Sequence, residues 1–261
     1  MIFRTLPPFG GDARAVAEIV RNIMDGKTNN TGTVTLNTGN ATTTTITDAR
    51  IGVESKIILV PYSAAAYADV APYGEFHNDT DQVAPSAGSS AVVVWDHADE
   101  TNGVYLSNST RVNVRNAGVY NVAFSLQLQN ASNDGQYADV WIRKNGSDVT
   151  DTARRYYIPP RKSSTEFSHV VGTAQYIIEL AANDYIEVAG SVSSTDVTLE
   201  HFPADAGIPR PAIPAAVLCV NLDGIRSSGG VYVSAVTNGS ATISHFANDT
   251  ADKTYGYVVV G

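Results

Sequence analysis

Hydrophobic and polar positions change their period along the chain. Near the start, Val16, Ile19, Val20 and Ile23 recur at i, i+3, i+4 and i+7, the spacing of one helix face. Asp12 is a suitable N-cap and Gly26 a suitable stop, so the pattern predicts a helix of about three turns. A helix that short is marginal alone in water and must dock on its own chain or on a neighbour. Ahead of it, Phe3, Leu6 and Phe9 sit in an extended segment that also holds Pro7 and Pro8. That arm either packs on its own domain or anchors the chain in a larger assembly through these three residues and the helix face.

Past residue 28 the period falls toward two. Threonine dominates residues 31–47, which predicts short strands built from β-branched side chains. Lys56–Pro61 is a continuous apolar strand, and residues 64–71 are a helical turn or a loop. From Tyr73 to Val220 the predicted strands lengthen. They are residues 91–95, 110–114, 118–129, 138–143, 167–180, 185–191, 197–202 and 215–220. Turn residues separate them, and Asn145-Gly146 between two apolar runs is a hairpin signal. About eight strands so punctuated predict an all-β antiparallel sandwich or jelly roll. Residues 208–214, with three prolines, predict a stiff polyproline-like lead into the last of these strands.

After Gly229, short Thr/Ser-rich strands return at 231–236, 241–245 and 255–260, in character with residues 31–61 rather than with the middle. The economical organisation is an anchor arm and helix over 1–28, a small β domain split between 29–72 and 221–261, and a jelly roll inserted at 73–220. Insertions of this kind are tolerated where a domain's termini lie close together.

Composition narrows the function. With 17 basic against 26 acidic residues the net charge is −9, so nucleic-acid binding is not expected as the main task. Only 16% of residues are charged, and Ser, Thr and Asn supply a neutral polar surface. Apolar runs are strand-sized, so no membrane insertion is expected. The first residues lack the apolar core of a signal peptide, which predicts synthesis in a cytosol. The eight Asn-x-Ser/Thr triplets, Asn40, Asn78, Asn108, Asn130 and Asn238 among them, then read as turn chemistry. Cys219 is the sole cysteine, and its apolar surroundings predict a buried strand position where the thiol is inert.

Catalytic motifs and cofactor fingerprints are missing, so no catalytic residue and no cofactor is predicted. The five histidines are scattered, and only residues 95–100, Trp-Asp-His-Ala-Asp-Glu, gather ligand-type side chains. There a solvated turn is favoured over a hard-cation site, and the metal question stays open. Carboxylate pairs at Glu75/Asp79/Asp81 or Asp148/Asp151 would serve glycoside hydrolysis only if the fold set two of them roughly 5 to 10 Å apart. Arg154, Arg155, Tyr156 and Tyr157 form the one basic, aromatic cluster, a surface-contact candidate for protein or glycan against the plainer reading of a loop between strands.

Two resemblances follow. Residues 116–122 (Asn-Ala-Gly-Val-Tyr-Asn-Val), 140–149 (Val-Trp-Ile-Arg-Lys-Asn-Gly-Ser-Asp-Val) and 176–188 (Tyr-Ile-Ile-Glu-Leu-Ala-Ala-Asn-Asp-Tyr-Ile-Glu-Val) resemble the C1q/TNF-like family. That resemblance covers about 73–220 and implies a jelly-roll head that forms a homotrimer through apolar and aromatic faces. The collagen-like stalk of the animal proteins is absent. Residues 42–55, 58–61, 231–235, 239–245 and 253–261 resemble the opening and close of small β modules in tailed-bacteriophage structural proteins. His245 falls in that family's strand-end pattern and is expected to be structural. Together they imply a virion protein, a homotrimeric tail or head–tail fibre. Its arm would hold other virion proteins, and its outward head would contact host-surface glycan or protein. A capsid decoration protein is the alternative, and a polysaccharide depolymerase is third.

Overall fold

The computed structural model describes residues 13–24, 30–67, 71–223, 230–248 and 252–261. Phe3, Leu6, Phe9, Asp12, Gly26 and the side chain of Ile23 lie outside these. The first elements are α1 (Ala13–Met24), β1 (Thr31–Thr35), β2 (Ala41–Thr47), β3 (Lys56–Pro61) and the one-turn α2 (Ala64–Tyr67). Then come β4 (Tyr73–Asn78), β5 (Gln82–Val83), β6 (Ala91–Val92), β7 (His97–Asn102), β8 (Val104–Leu106), β9 (Val112–Val114) and β10 (Gly118–Asn130). They are followed by β11 (Gln136–Lys144), β12 (Ser147–Asp148), β13 (Arg154–Ile158), β14 (Ser168–Leu180), β15 (Tyr185–Val192), β16 (Val197–Leu199) and β17 (Ala216–Leu222). The chain closes with β18 (Tyr232–Thr237), β19 (Ser240–Asn248) and β20 (Thr254–Val260). It forms two compact units, one from 1–69 with 230–261 and the other from 70–229.

The larger unit is an all-β, jelly-roll-like sandwich of two antiparallel seven-stranded sheets. One runs β5-β16-β10-β17-β4-β7, with β14 on the other edge of β10. The second runs β12-β11-β15-β9-β8, with β13 on β11 and β6 on β15. Strict alternation along β10 explains the layering: Tyr120, Val122, Phe124, Leu126 and Leu128 point inward and are buried. They meet Val140 and Ile142 of β11, Ile186 and Val188 of β15, and Val112 and Val114 of β9 in one core around Trp95 and Phe76. Each such fully buried aliphatic contributes about 1.5–3 kcal/mol. The Tyr120 hydroxyl, buried with them, donates to the Asn116 carbonyl at 2.8 Å.

The turn chemistry is visible in the backbone. Asn145 and Gly146 both have positive φ (51° and 80°), the mirror-image turn that matches strand twist in a two-residue hairpin. The Asn-x-Ser/Thr triplets are Asx turns in three cases. Asn78, Asn108 and Asn130 each accept, through Oδ1, the backbone N–H two residues on. Asn78 and Asn130 are fully buried.

Three local expectations are corrected. Residues 154–158 are the edge strand β13 rather than a loop, because Tyr156 and Ile158 alternate inward against β11. Residues 208–214 do not run as a polyproline lead. Bridges Phe202↔Ile213 and Asp205↔Arg210 fold them back as a hairpin, whose turn is fixed by Asp205 Oδ1 accepting from the Gly207 and Ile208 N–H groups. Cys219 is half-buried on the outward side of β17, between the inward Leu218 and Val220.

The smaller unit holds two three-stranded sheets, β1-β20-β3 and β18-β19-β2, both antiparallel. Leu36, Ile46, Ile51, Val231, Ile243, Tyr255, Tyr257 and Val259 make its core. A corner at Asp48–Arg50 ties the sheets together. Arg50 grips Asp48 through Nε at 2.8 Å and Nη2 at 2.5 Å, the Tyr257 hydroxyl donates to Asp48 at 2.9 Å, and Arg50 also reaches the Thr31 carbonyl. His245 is buried on β19, with Nε2 2.9 Å from the Thr44 hydroxyl and Nδ1 2.7 Å from the Phe246 carbonyl. Thr44 Oγ1 in turn accepts the Asn37 N–H at 2.8 Å. Both ring nitrogens of His245 are thereby occupied, Nε2 tying β19 to β2 and Nδ1 bonding within β19. On α1, Val16 and Val20 are exposed and Ile19 is half-buried.

Candidate functional site

Among the described residues, the densest gathering of ligand-type side chains lies where β4 meets the edge strand β7. Antiparallel register sets His77 directly opposite His97, and residues so opposed share a face. Their imidazoles stack with centroids 4.5 Å apart and planes within 12°. Asp99, two residues along β7, lies on that same face, and its Oδ2 is 2.5 Å from His77 Nδ1. This fixes the His77 ring and leaves its Nε2 toward Asp79, whose Oδ2 is 3.4 Å away. The same carboxylate oxygen is 3.8 Å from His97 Nε2. Asp96 closes the group: its carboxylate accepts the Asp79 N–H at 3.1 Å, and its Oδ1 is 3.7 Å from His97 Nε2. Burial disfavours charge on His77, but the hydrogen bond and charge of Asp99 and the charge of Asp79 outweigh it, and the His77 pKa lies above its ordinary value.

Sequence reading singled out residues 95–100, and Asp79 only as a carboxylate beside Glu75 and Asp81, but did not join either to His77. A His-x-Asp on an alternating strand is an ordinary surface pattern, and only strand register brings it against Asp-His. Two of the other candidate carboxylates are engaged in hydrogen bonds. Asp81 accepts the His201 N–H at 2.7 Å, Asp148 accepts from Trp141 Nε1 at 2.7 Å, and Glu75 faces outward on β4.

The basic, aromatic cluster is largely committed within the fold. Arg155 makes a two-pronged pair with Asp139 (2.8 and 2.7 Å) and lies over the Tyr137 ring at 4.0 Å. Tyr156 donates to the Thr173 carbonyl at 2.9 Å, and Arg154 lies over Tyr176. Tyr157 stands open to solvent, at 63% exposure.

A second feature is the outward face of the first sheet. Registers align Ile177–Asn121–Asn221–Tyr73, Gln175–Ala123–Cys219–Glu75 and Thr173–Ser125–Val217–His77 across β14, β10, β17 and β4. In these rows Glu75 is the only carboxylate, and the exposed Glu179 stands opposite Val119 in the next outward-facing row. Val119, Val171 and Ile177 of the same face stand 41%, 54% and 57% exposed. The Asn121 amide oxygen is buried without a hydrogen-bond partner among the described residues, one bond short of what a buried carbonyl needs. Burial, and after it the Glu75 charge, push the Cys219 thiol pKa up. An apolar cleft also opens between the sheets, among Val83, Leu126, Leu128, Val140, Val192 and Leu199, and its nearby carboxylate, Asp139, is the one held by Arg155.

No protein-family model matches the chain, and no curated protein matches it in sequence.

Proposed function

We propose that this chain is a non-catalytic structural protein of a tailed-bacteriophage particle, assembled as a homotrimer through the outward face of the β14-β10-β17-β4 sheet. One observation carries the reading: on that face Val119, Val171 and Ile177 stand exposed, and the three rows across its four strands hold a single carboxylate, Glu75, with Glu179 beside Val119 beyond them. Leaving such a surface wet is unfavourable, whereas copies related by closed symmetry bury it in one another. The residue patterns shared with C1q/TNF-like heads and with phage β modules supply the threefold symmetry and the particle. The exposed Val16 and Val20 on α1 fit an N-terminal segment that docks on another virion protein. A fibre carrying the sandwich as its distal, host-contacting head is the preferred placement.

The test is made on particles. Deletion of residues 1–28 leaves a folded oligomer that no longer joins the particle, while the full chain copurifies with tail proteins. Normal incorporation of the truncated chain refutes the anchor. Copurification with the capsid shell alone replaces the fibre by a decoration protein. New reducing ends on incubation with host capsule polysaccharide refute the non-catalytic reading.

A further inference from the structure

We propose that His77, His97 and Asp79 form a binding site for one divalent transition ion of the Zn2+ type per chain. The inference rests on the β4–β7 geometry alone and stands whether or not the chain is a virion protein.

Three donor atoms, one from each residue, lie within 4.8 Å of one another. Tetrahedral Zn2+ with bonds of roughly 2.0–2.1 Å sets its ligand atoms about 3.3 Å apart. The His77 Nε2 to Asp79 Oδ2 separation, 3.4 Å, already meets that figure, and His97 Nε2 at 3.8 Å from the same oxygen falls slightly outside it. The near-parallel rings do not yet aim both lone pairs at one point. His97 must turn about its Cβ–Cγ bond, and its 52% exposed side chain leaves room for this. His77 needs no such freedom. The Asp99 carboxylate on its Nδ1 selects the tautomer whose Nε2 lone pair is available, an arrangement that recurs behind metal-bound histidines and raises their basicity. Asp79 is likewise steadied, its N–H bound to Asp96. Asp96 or a water supplies the fourth ligand.

The donor set chooses the ion class. Two imidazoles with a carboxylate suit Zn2+, Co2+, Ni2+ or Cu2+, whereas Ca2+ and Mg2+ prefer all-oxygen shells. An ion here would cross-link the edge strand β7 to β4 and neutralise part of the charge that Asp79, Asp96 and Asp99 place on one face.

The experiment is isothermal titration of untagged, chelator-treated full-length protein with Zn2+ at neutral pH, repeated with Ca2+. The expected result is one Zn2+ per chain with micromolar or tighter affinity, and no comparable uptake of Ca2+. His97→Ala, at an exposed position that keeps the fold, and Asp79→Asn weaken binding by tenfold or more. His169→Ala, on β14, leaves it unchanged. Co2+ bound to the wild type gives the visible absorption of a tetrahedral complex, which His97→Ala abolishes. Absence of Zn2+ uptake, equal uptake by His97→Ala and Asp79→Asn, or a preference for Ca2+ overturns the proposal.

Discussion

Replacing Asn130 by alanine tests how the larger sandwich is held at one end. This side chain is fully buried at the end of β10. Its Nδ2 donates to the carbonyls of Asp134 and Pro159, both at 2.9 Å, with the Ile158 carbonyl at 3.4 Å, and its Oδ1 accepts the Ser132 N–H at 2.8 Å. One amide therefore fastens the end of the first sheet to the segments that flank β11 and β13 of the second. Asn130→Ala deletes three well-formed bonds and leaves the Asp134 and Pro159 carbonyls and the Ser132 N–H without their side-chain partner. At about 1 kcal/mol for each buried bond, the loss is about 3 kcal/mol. For a unit of this size that lowers the melting temperature by roughly 6–12 °C. Asn108→Ala is the control, since Asn108 makes the same kind of Asx turn on an exposed loop, and its cost stays below about 1 kcal/mol. Both are measured by urea and thermal unfolding followed by circular dichroism and Trp fluorescence. A loss under about 1 kcal/mol for Asn130→Ala, or equal losses for the two variants, would refute the assignment of Asn130 as a clamp between the sheets.

Two further predictions concern the smaller unit. His245→Ala breaks the Asn37–Thr44–His245–Phe246 chain inside a packed site and costs about 2–3 kcal/mol by urea unfolding, and a neutral result would contradict its structural role. At the sheet corner, the Arg50 guanidinium hydrogen bonds hold the Asp48 carboxyl well below the usual carboxylate range, against the opposing effect of burial. Because the folded pKa is depressed, Asp48 stabilises the protein fully above its unfolded value of about 3.8 and loses that contribution as pH falls toward the folded value. Acidification from neutral pH through the range of about 4 to 2 should therefore lower the urea midpoint more steeply in the wild type than in Asp48→Asn, and parallel pH profiles would sink the argument.

Much of the fold could be read from local pattern, because local chemistry decided it. Tyr120 to Leu128 alternate without a break, Asn145-Gly146 specifies its turn by backbone preference, and Asn78, Asn108 and Asn130 signal Asx turns that their triplets only superficially disguise as glycosylation sites. What could not be read depended on partners distant in sequence. The run Arg154–Ile158 gains its strand character from pairing with β11, and the continuous apolar stretch around Cys219 conceals which of its members face outward. The histidine cluster is the clearest instance. His77 and His97 become neighbours through a ladder whose register shifts between Gly74 and Phe76, so no spacing rule in the sequence brings them together. The outward face of the first sheet is similar: its rows are drawn from four strands spanning residues 73 to 221, and only the registers assemble them.

The most direct test of the central claim is the native mass of the purified chain, taken by light scattering on a sizing column at micromolar concentration. Assembly through the outward face of the β14-β10-β17-β4 sheet predicts a single species of three times 27.6 kDa. A monodisperse monomer would contradict it, because the exposed Val119, Val171 and Ile177 would then be stable in water without a partner copy.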